Sequence, residues 1–133
     1  MAGEVKKNTK TDKRKEKLME VAAQTKYLRI SPRKLRLVAE AVKRLSPAEA
    51  LEYLELWNRK GSRLLKKAIK TALSDAQNNF SLEKESIHFK EIVVTQGPRL
   101  KRVDRFHGAR FNQGLRQKRM SHVRIILIGR EGQ

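Results

Sequence analysis

IHFKEIVVTQGPRLKRVDRFHGARFNQGLRQKRMSHVRIILI, Ile87 to Ile128, decides how this chain folds. Its two ends carry apolar residues at alternate positions: Ile87 and Phe89, then Ile92 and Val94, at one end, and Val123, Ile125 and Leu127 at the other, with Ile126 and Ile128 on the opposite parity. A period of two is the pattern of a strand. The change of parity between Phe89 and Ile92 predicts a bulge near Lys90, or a sheet covered on both faces. Between the ends, Gly97 to Arg124 holds nine Lys and Arg against one acid, Asp104. That stretch is too polar to form a core. It reads as the protruding part of a hairpin, an arm over about 97–122, whose apolar roots lie in a sheet. Folded about His107 to Phe111, each limb has about a dozen residues and, at ~3.3 Å per residue, reaches roughly 40 Å. A two-stranded ribbon of that length is not self-supporting in water, so the arm is expected to be mobile alone and rigid when embedded. Gly108 and Gly114 are expected near the turn and near a twist or bulge, because glycine accepts positive φ.

Upstream of the hairpin the period lengthens. Tyr27, Leu28 and Ile30 suggest a short strand ending at Ser31, and Ser31-Pro32 is a helix-start signal. Leu35, Val38, Val42 and Leu45 then recur at helical spacing, which predicts a first helix over roughly 32–44. Ser46-Pro47-Ala48-Glu49 repeats the start signal with Glu49 placed to close a capping box; Ala50, Leu51 and Leu54 form the buried face of a shorter second helix. A loop is expected from Trp57 to Gly61, with Trp57 as a core or cover aromatic. Leu64, Leu65, Ala68, Ile69, Ala72, Leu73 and Ala76 predict a third helix over about 61–78, whose alanines permit close packing. Lys66, Lys67 and Lys70 lie off its stripe. The sum is an α+β fold: a small three-stranded antiparallel sheet packed against three helices, with a long protruding β-hairpin arm.

The 133 residues suit a single domain. We expect this domain over 23–133, preceded by a basic extension, 1–22, that is disordered in isolation: residues 1–20 hold seven basic and four acidic side chains and no apolar period before Leu18. There is no cysteine, hence no disulfide framework, thiolate nucleophile or cysteine-ligated zinc. No apolar run approaches the ~20 residues of a membrane span. The amino terminus lacks a secretory apolar region. There is no Gly-rich phosphate loop, paired-carboxylate site or nucleophile constellation, so an enzyme is not expected, nor is a cofactor, a metal, a membrane partner or a homo-oligomer.

Charge carries the functional reading. Thirty-two basic residues against 14 acidic ones leave a formal charge of +18, a field suited to a polyanion. Arginine dominates the arm, at Arg99, Arg102, Arg105, Arg110, Arg116 and Arg119, with Lys101 and Lys118 beside them; guanidinium groups bind phosphate bidentately and stack on bases. Phe106 and Phe111 flank the tip, where they either stack on unpaired bases or pack together. His107 and His122 have no carboxylate partners that would make a metal or acid–base set. On charge alone, a free nucleic-acid-binding module such as an RNA chaperone or a DNA architectural protein is the alternative to a fixed place in a ribonucleoprotein.

Several blocks resemble the bacterial-type universal ribosomal protein L22 (uL22) family in order and spacing: YLRISPRKLRLV (Tyr27–Val38), the segment from Ala50 to Trp57, AIKTALSDAQNNF (Ala68–Phe80), IHFKEIVVTQGPRLKR (Ile87–Arg102) and KRMSHVRIIL (Lys118–Leu127). The resemblance implies a cytoplasmic component of the large ribosomal subunit that binds 23S-type rRNA, lies beside other large-subunit proteins and bridges rRNA segments with its arm, which contributes to the wall of the polypeptide exit tunnel. By the same resemblance, Arg29, Ser31, Arg33, Lys34 and Arg36 match the basic entry to the first helix. Lys101, Arg102, Lys118, Arg119 and His122 match the base of the arm, and Arg99, Arg105, His107, Arg110 and Arg116 continue its rRNA-binding set. The tip, Phe106, His107, Gly108, Ala109, Arg110 and Phe111, would meet the nascent polypeptide. Here the chain departs from the family, which usually has a proline and a GRA-like triplet between the limbs; this chain reads DRFHGARFNQG.

Overall fold

The computed structural model describes residues 18–105 and 113–131. Its elements are β1 (Leu18–Leu28), α1 (Pro32–Val42), α2 (Pro47–Leu56), α3 (Lys60–Phe80), a 3₁₀ turn (Lys84–Ser86), β2 (His88–Asp104) and β3 (Gly114–Arg130). The strands form one antiparallel sheet in the order β1-β3-β2, and α1 and α3 pack on one of its faces. The expected three-stranded α+β architecture is the one observed.

Each helix starts for a local reason. Ser46 accepts a hydrogen bond from the Glu49 amide at 3.4 Å while the Glu49 carboxylate accepts from the Ser46 amide at 3.0 Å, the reciprocal box expected at the start of α2. Ser31 also sits at an N-cap, but its hydroxyl makes no capping bond; α1 begins on Pro32, which has no N–H to satisfy. The loop before α3 is shorter than expected, because α3 already starts at Lys60. Gly61 lets the start of α3 pack closely on α1. A Cβ at this position would lie 3.1 Å from Val38 Cγ2 and 3.3 Å from Ile30 Cδ1. Trp57 is a half-buried cover residue, edge-on to Tyr53 with ring centroids 5.5 Å apart and with the Arg59 guanidinium 4.7 Å from its centroid.

The core lies between helices and sheet. Leu35, Val38 and Val42 from α1, Leu65 and Ile69 from α3, and Val123, Ile125 and Leu127 from β3 are all buried, as are Ala68, Ala72 and Ala76, which let α3 approach the sheet. Burying a side chain of the Leu or Ile type is worth ~1.5–3 kcal/mol, so this layer, and not helix propensity, holds the short helices in place.

Two expectations about β1 are corrected. The strand is not a short segment at Tyr27–Ile30 but runs from Leu18, so residues 18–22, assigned above to a disordered extension, pair with β3 from Leu18↔Arg130 to Ala22↔Ile126. Met19, Val21 and Ala23 face the helices while Glu20, Ala22 and Gln24 alternate with them. The small Ala residues and flanking charge hid this alternation in sequence. Residues 1–17 lie outside the described set. The expected bulge near Lys90 is present, with the β2–β3 register shifting between Phe89 and Glu91. Lys90 there reaches across β3 to form an ion pair with Glu20 of β1.

The capping box makes the stability of α2 sensitive to acid. The hydrogen bonds from Ser46 hold the Glu49 pKa below its ordinary value. A carboxylate with a depressed folded pKa contributes stability above its unfolded pKa of ~4.3 and loses it as pH falls through the folded value. Urea titration is therefore expected to find Glu49→Gln less stable than wild type at pH 7, with the gap closing in acid. Ser46→Ala is expected to cost about 1 kcal/mol.

Candidate nucleic-acid interface

The arm continues the β2–β3 pair of the sheet beyond a register shift between Gln96 and Arg99. β2 and β3 are each 17 residues long, and their pairing runs from His88↔Ile128 to Asp104↔Gly114. What changes along them is cover. β1 stops at Leu28↔Ser121, and from Pro98 to Val103 every residue of β2 is exposed. The turn expected at His107 to Phe111 and the site residues Phe106, His107, Gly108, Ala109, Arg110 and Phe111 lie outside the described residues. Arg105 follows β2 and is exposed.

The irregularity at the arm's root is not where the glycine rule placed it. Gly114 has no positive φ and faces Asp104 in regular register. The break lies between Gln96 and Arg99, where Gly97 and Pro98 oppose the single residue Met120. A Cβ on Gly97 would stand 3.1 Å from the Met120 carbonyl and 3.2 Å from His122 Cε1, so a larger residue would push the two strands apart by a few tenths of an ångström. On the other side of β3, the β1 register shifts opposite the same histidine, and Tyr27 takes a φ of 58°. The Tyr27 amide donates to His122 Nδ1 at 2.9 Å, and the two rings meet edge-on at 5.0 Å. His122 is thus a clamp across three strands at the root of the arm, with its Nδ1 engaged by protein and Nε2 left to carry the ring proton.

Alternation along the ribbon divides its side chains between two faces. Arg99, Lys101, Val103, Leu115, Gln117 and Arg119 share one; Leu100, Arg102, Asp104, Arg116 and Lys118 share the other. Among the described residues each face therefore carries three cations. Two cross-strand pairs are of like charge, Arg99↔Arg119 and Arg102↔Arg116, an arrangement that is destabilising unless a counter-charge intervenes. Arg116 has one within the arm, since its Nε lies 2.5 Å from Asp104 Oδ2.

The basic residues at the entry to α1 are not one patch. Arg29, in the connection after β1, is brought beside Lys118 and Arg119 in a cavity of about 460 Å³ that is also lined by Lys60, Leu100 and Met120. Arg36 sits elsewhere: its Nε donates to the Val94 carbonyl of β2 at 3.2 Å, in a groove of about 270 Å³ that also contains Glu40, Lys43 and Glu91. Arg33 and Lys34 are exposed on α1, and Ser31 is half-buried at its start. Of the α3 lysines, Lys66 is paired with Glu55 at 2.8 Å, which lowers the Glu55 pKa. Lys60 was missed by sequence reasoning; its only signal was a cation at the first position of a helix whose first turn has no acid.

His122→Phe keeps a ring but removes the acceptor for Tyr27. We expect a loss of about 1 kcal/mol and faster hydrogen exchange at the Tyr27 amide; unchanged exchange would show that the clamp is not formed in solution.

The chain is similar to known proteins over most of its length. Residues 23–128 match the family described as Ribosomal protein L22p/L17e. The chain is 42% identical over 113 residues to the large ribosomal subunit protein uL22 of Petrotoga mobilis, covering 84% of this chain and 74% of that one. It is 39% identical over 109 residues to the protein of the same name from Opitutus terrae (82% and 95% covered). For that of Akkermansia muciniphila the identity is 39% over 114 residues (86% and 100% covered).

Proposed function

Because this chain belongs to the Ribosomal protein L22p/L17e family, we infer that it is a structural, non-catalytic component of the large ribosomal subunit. It binds 23S-type rRNA and neighbouring large-subunit proteins, and it works in the cytoplasm as part of the ribosome.

The observation that carries the residue-level reading is the charge on both faces of the ribbon. A strand pair that lay on a single RNA surface would have a basic face and a neutral one. Arg99, Lys101 and Arg119 on one side and Arg102, Arg116 and Lys118 on the other instead suit a ribbon threaded between RNA segments, each face neutralising a different set of phosphates. The like-charged cross-strand pairs support the same reading, since phosphate oxygens between or beside them convert repulsion into bridging. Arg29, Ser31, Arg33 and Lys34 contact rRNA at the body, with Arg36 contributing less because its Nε is engaged by Val94. His122 acts mainly by setting the angle of the arm. Arg105, His107 and Arg110 extend the rRNA contacts to the tip, and Phe106 to Phe111 contribute to the exit-tunnel wall along which the nascent polypeptide passes. The domain that does this spans 23–133 together with the first residues of β1, and the lysine-rich leader ahead of it adds phosphate contacts without defining the site.

Arg102→Ala combined with Arg119→Ala is expected to reduce incorporation into large subunits more than Lys6→Ala combined with Lys7→Ala. For binding to an rRNA fragment, the arm variant is expected to lower the slope of log affinity against log salt by about 2, close to one unit for each lost phosphate contact. Equal incorporation of the two double variants, or full protease sensitivity of 97–124 in intact subunits, refutes the threaded arm. Failure of the wild-type chain to co-sediment with large subunits, combined with promiscuous binding to duplex DNA, favours the free nucleic-acid-binding module.

A further inference from the structure

We propose that the cavity at the root of the arm is a receptor for one nucleotide extruded from an rRNA strand, its base lying against Leu100 and Met120 and its phosphates held by Arg29, Lys60, Lys118 and Arg119. The proposal rests on the rRNA-binding reading above and adds to it a site with a defined occupant.

Three observations support it. The cavity, about 460 Å³, is within the roughly 300–1,000 Å³ range of pockets that hold small ligands. Its six lining residues come from four parts of the chain: the connection after β1, the first residue of α3, β2 and β3. It is therefore a product of the fold and not a crease along one element. Among the described residues its walls hold four cations and no acid, around two apolar side chains.

That composition selects the ligand. Four cations around a concave, partly apolar site focus a positive potential into it, and α3 adds the positive end of its dipole, since its N-terminus has neither a side-chain cap nor an acid in the first turn. A phosphate alone would satisfy the cations but leave Leu100 and Met120 facing water. An apolar peptide would cover those two and leave the cations unpaired. A nucleotide has an anionic edge and a flat, weakly polar body, and guanidinium planes such as those of Arg29 and Arg119 stack on unstacked bases. The flanking cations favour a strand over a free mononucleotide: Arg102 follows Leu100 on the same face of the arm and Arg33 lies on α1, so the phosphates on either side of an extruded residue also find partners.

The test uses large subunits reconstituted with the full chain, and dimethyl sulfate and carbodiimide as probes of rRNA bases. Leu100→Trp fills the cavity without changing charge, at a residue already 43% exposed on the arm. Lys60→Glu reverses a wall charge at an exposed position, and Lys84→Ala removes an exposed cation in the 3₁₀ turn, away from the cavity lining. At least one unpaired base protected by the wild-type chain is expected to become fivefold or more reactive with Leu100→Trp and with Lys60→Glu, and to stay protected with Lys84→Ala. Normal co-sedimentation of both cavity variants with base reactivities identical to wild type overturns the cavity assignment and leaves the rRNA-binding function standing. Loss of co-sedimentation by the wild-type chain itself overturns that function. Binding of AMP, GMP, CMP or UMP to the isolated full chain, abolished by Lys60→Glu while the rRNA footprint ignores Leu100→Trp, assigns the cavity to free nucleotides and overturns the extruded-strand reading.

Discussion

β3 is paired on both edges over its C-terminal half but only with β2 over the rest, and the structure depends on that asymmetry. Where β1 covers one edge and helices one face, the strand holds Val123, Ile125 and Leu127 in a dry core. Where β1 ends, the pairing of β2 with β3 continues with no third strand among the described residues. Body and arm are therefore one pair of strands in two environments, and any tilt of the arm must pass through the few residues at which cover is lost.

Those residues are tightly packed. Gly97 leaves little room for a methyl group, Tyr27 takes a backbone conformation rare for its type, and His122 lies between them with one nitrogen committed to the Tyr27 amide. Bulges bend strands and increase their twist. Here one in β1 and one in β2 meet opposite neighbouring residues of β3, His122 and Met120. The cation-lined cavity opens beside this junction, so the geometry that aims the arm also forms the pocket.

Beyond the junction the stabilising force changes. Val103 and Leu115 are paired across the ribbon but remain more than half exposed, and the arginine pairs oppose one another. Surface ion pairs such as Asp104–Arg116 contribute little in water. On the proposed reading, a partner of opposite charge supplies the free energy that orders the arm, a role suited to a chain of +18. The core, in contrast, is held by buried apolar side chains.

Much of this was legible in the residues themselves. Alternating Ile and Val at both ends of Ile87–Ile128, the capping box at Ser46–Glu49 and the paired apolar positions of α3 each encode a local conformation through side-chain periodicity or a short-range hydrogen bond, and a period survives in a linear string. Hence the helices, the hairpin, the Lys90 bulge and the basic arm could be derived. The start of β1 at Leu18, the Gly97 bulge in place of one at Gly114, the His122 clamp and the union of Arg29 and Lys60 with Lys118 and Arg119 were decided by tertiary structure. Each depends on which strand lies against which, and contacts between residues dozens of positions apart leave no periodic trace in the sequence.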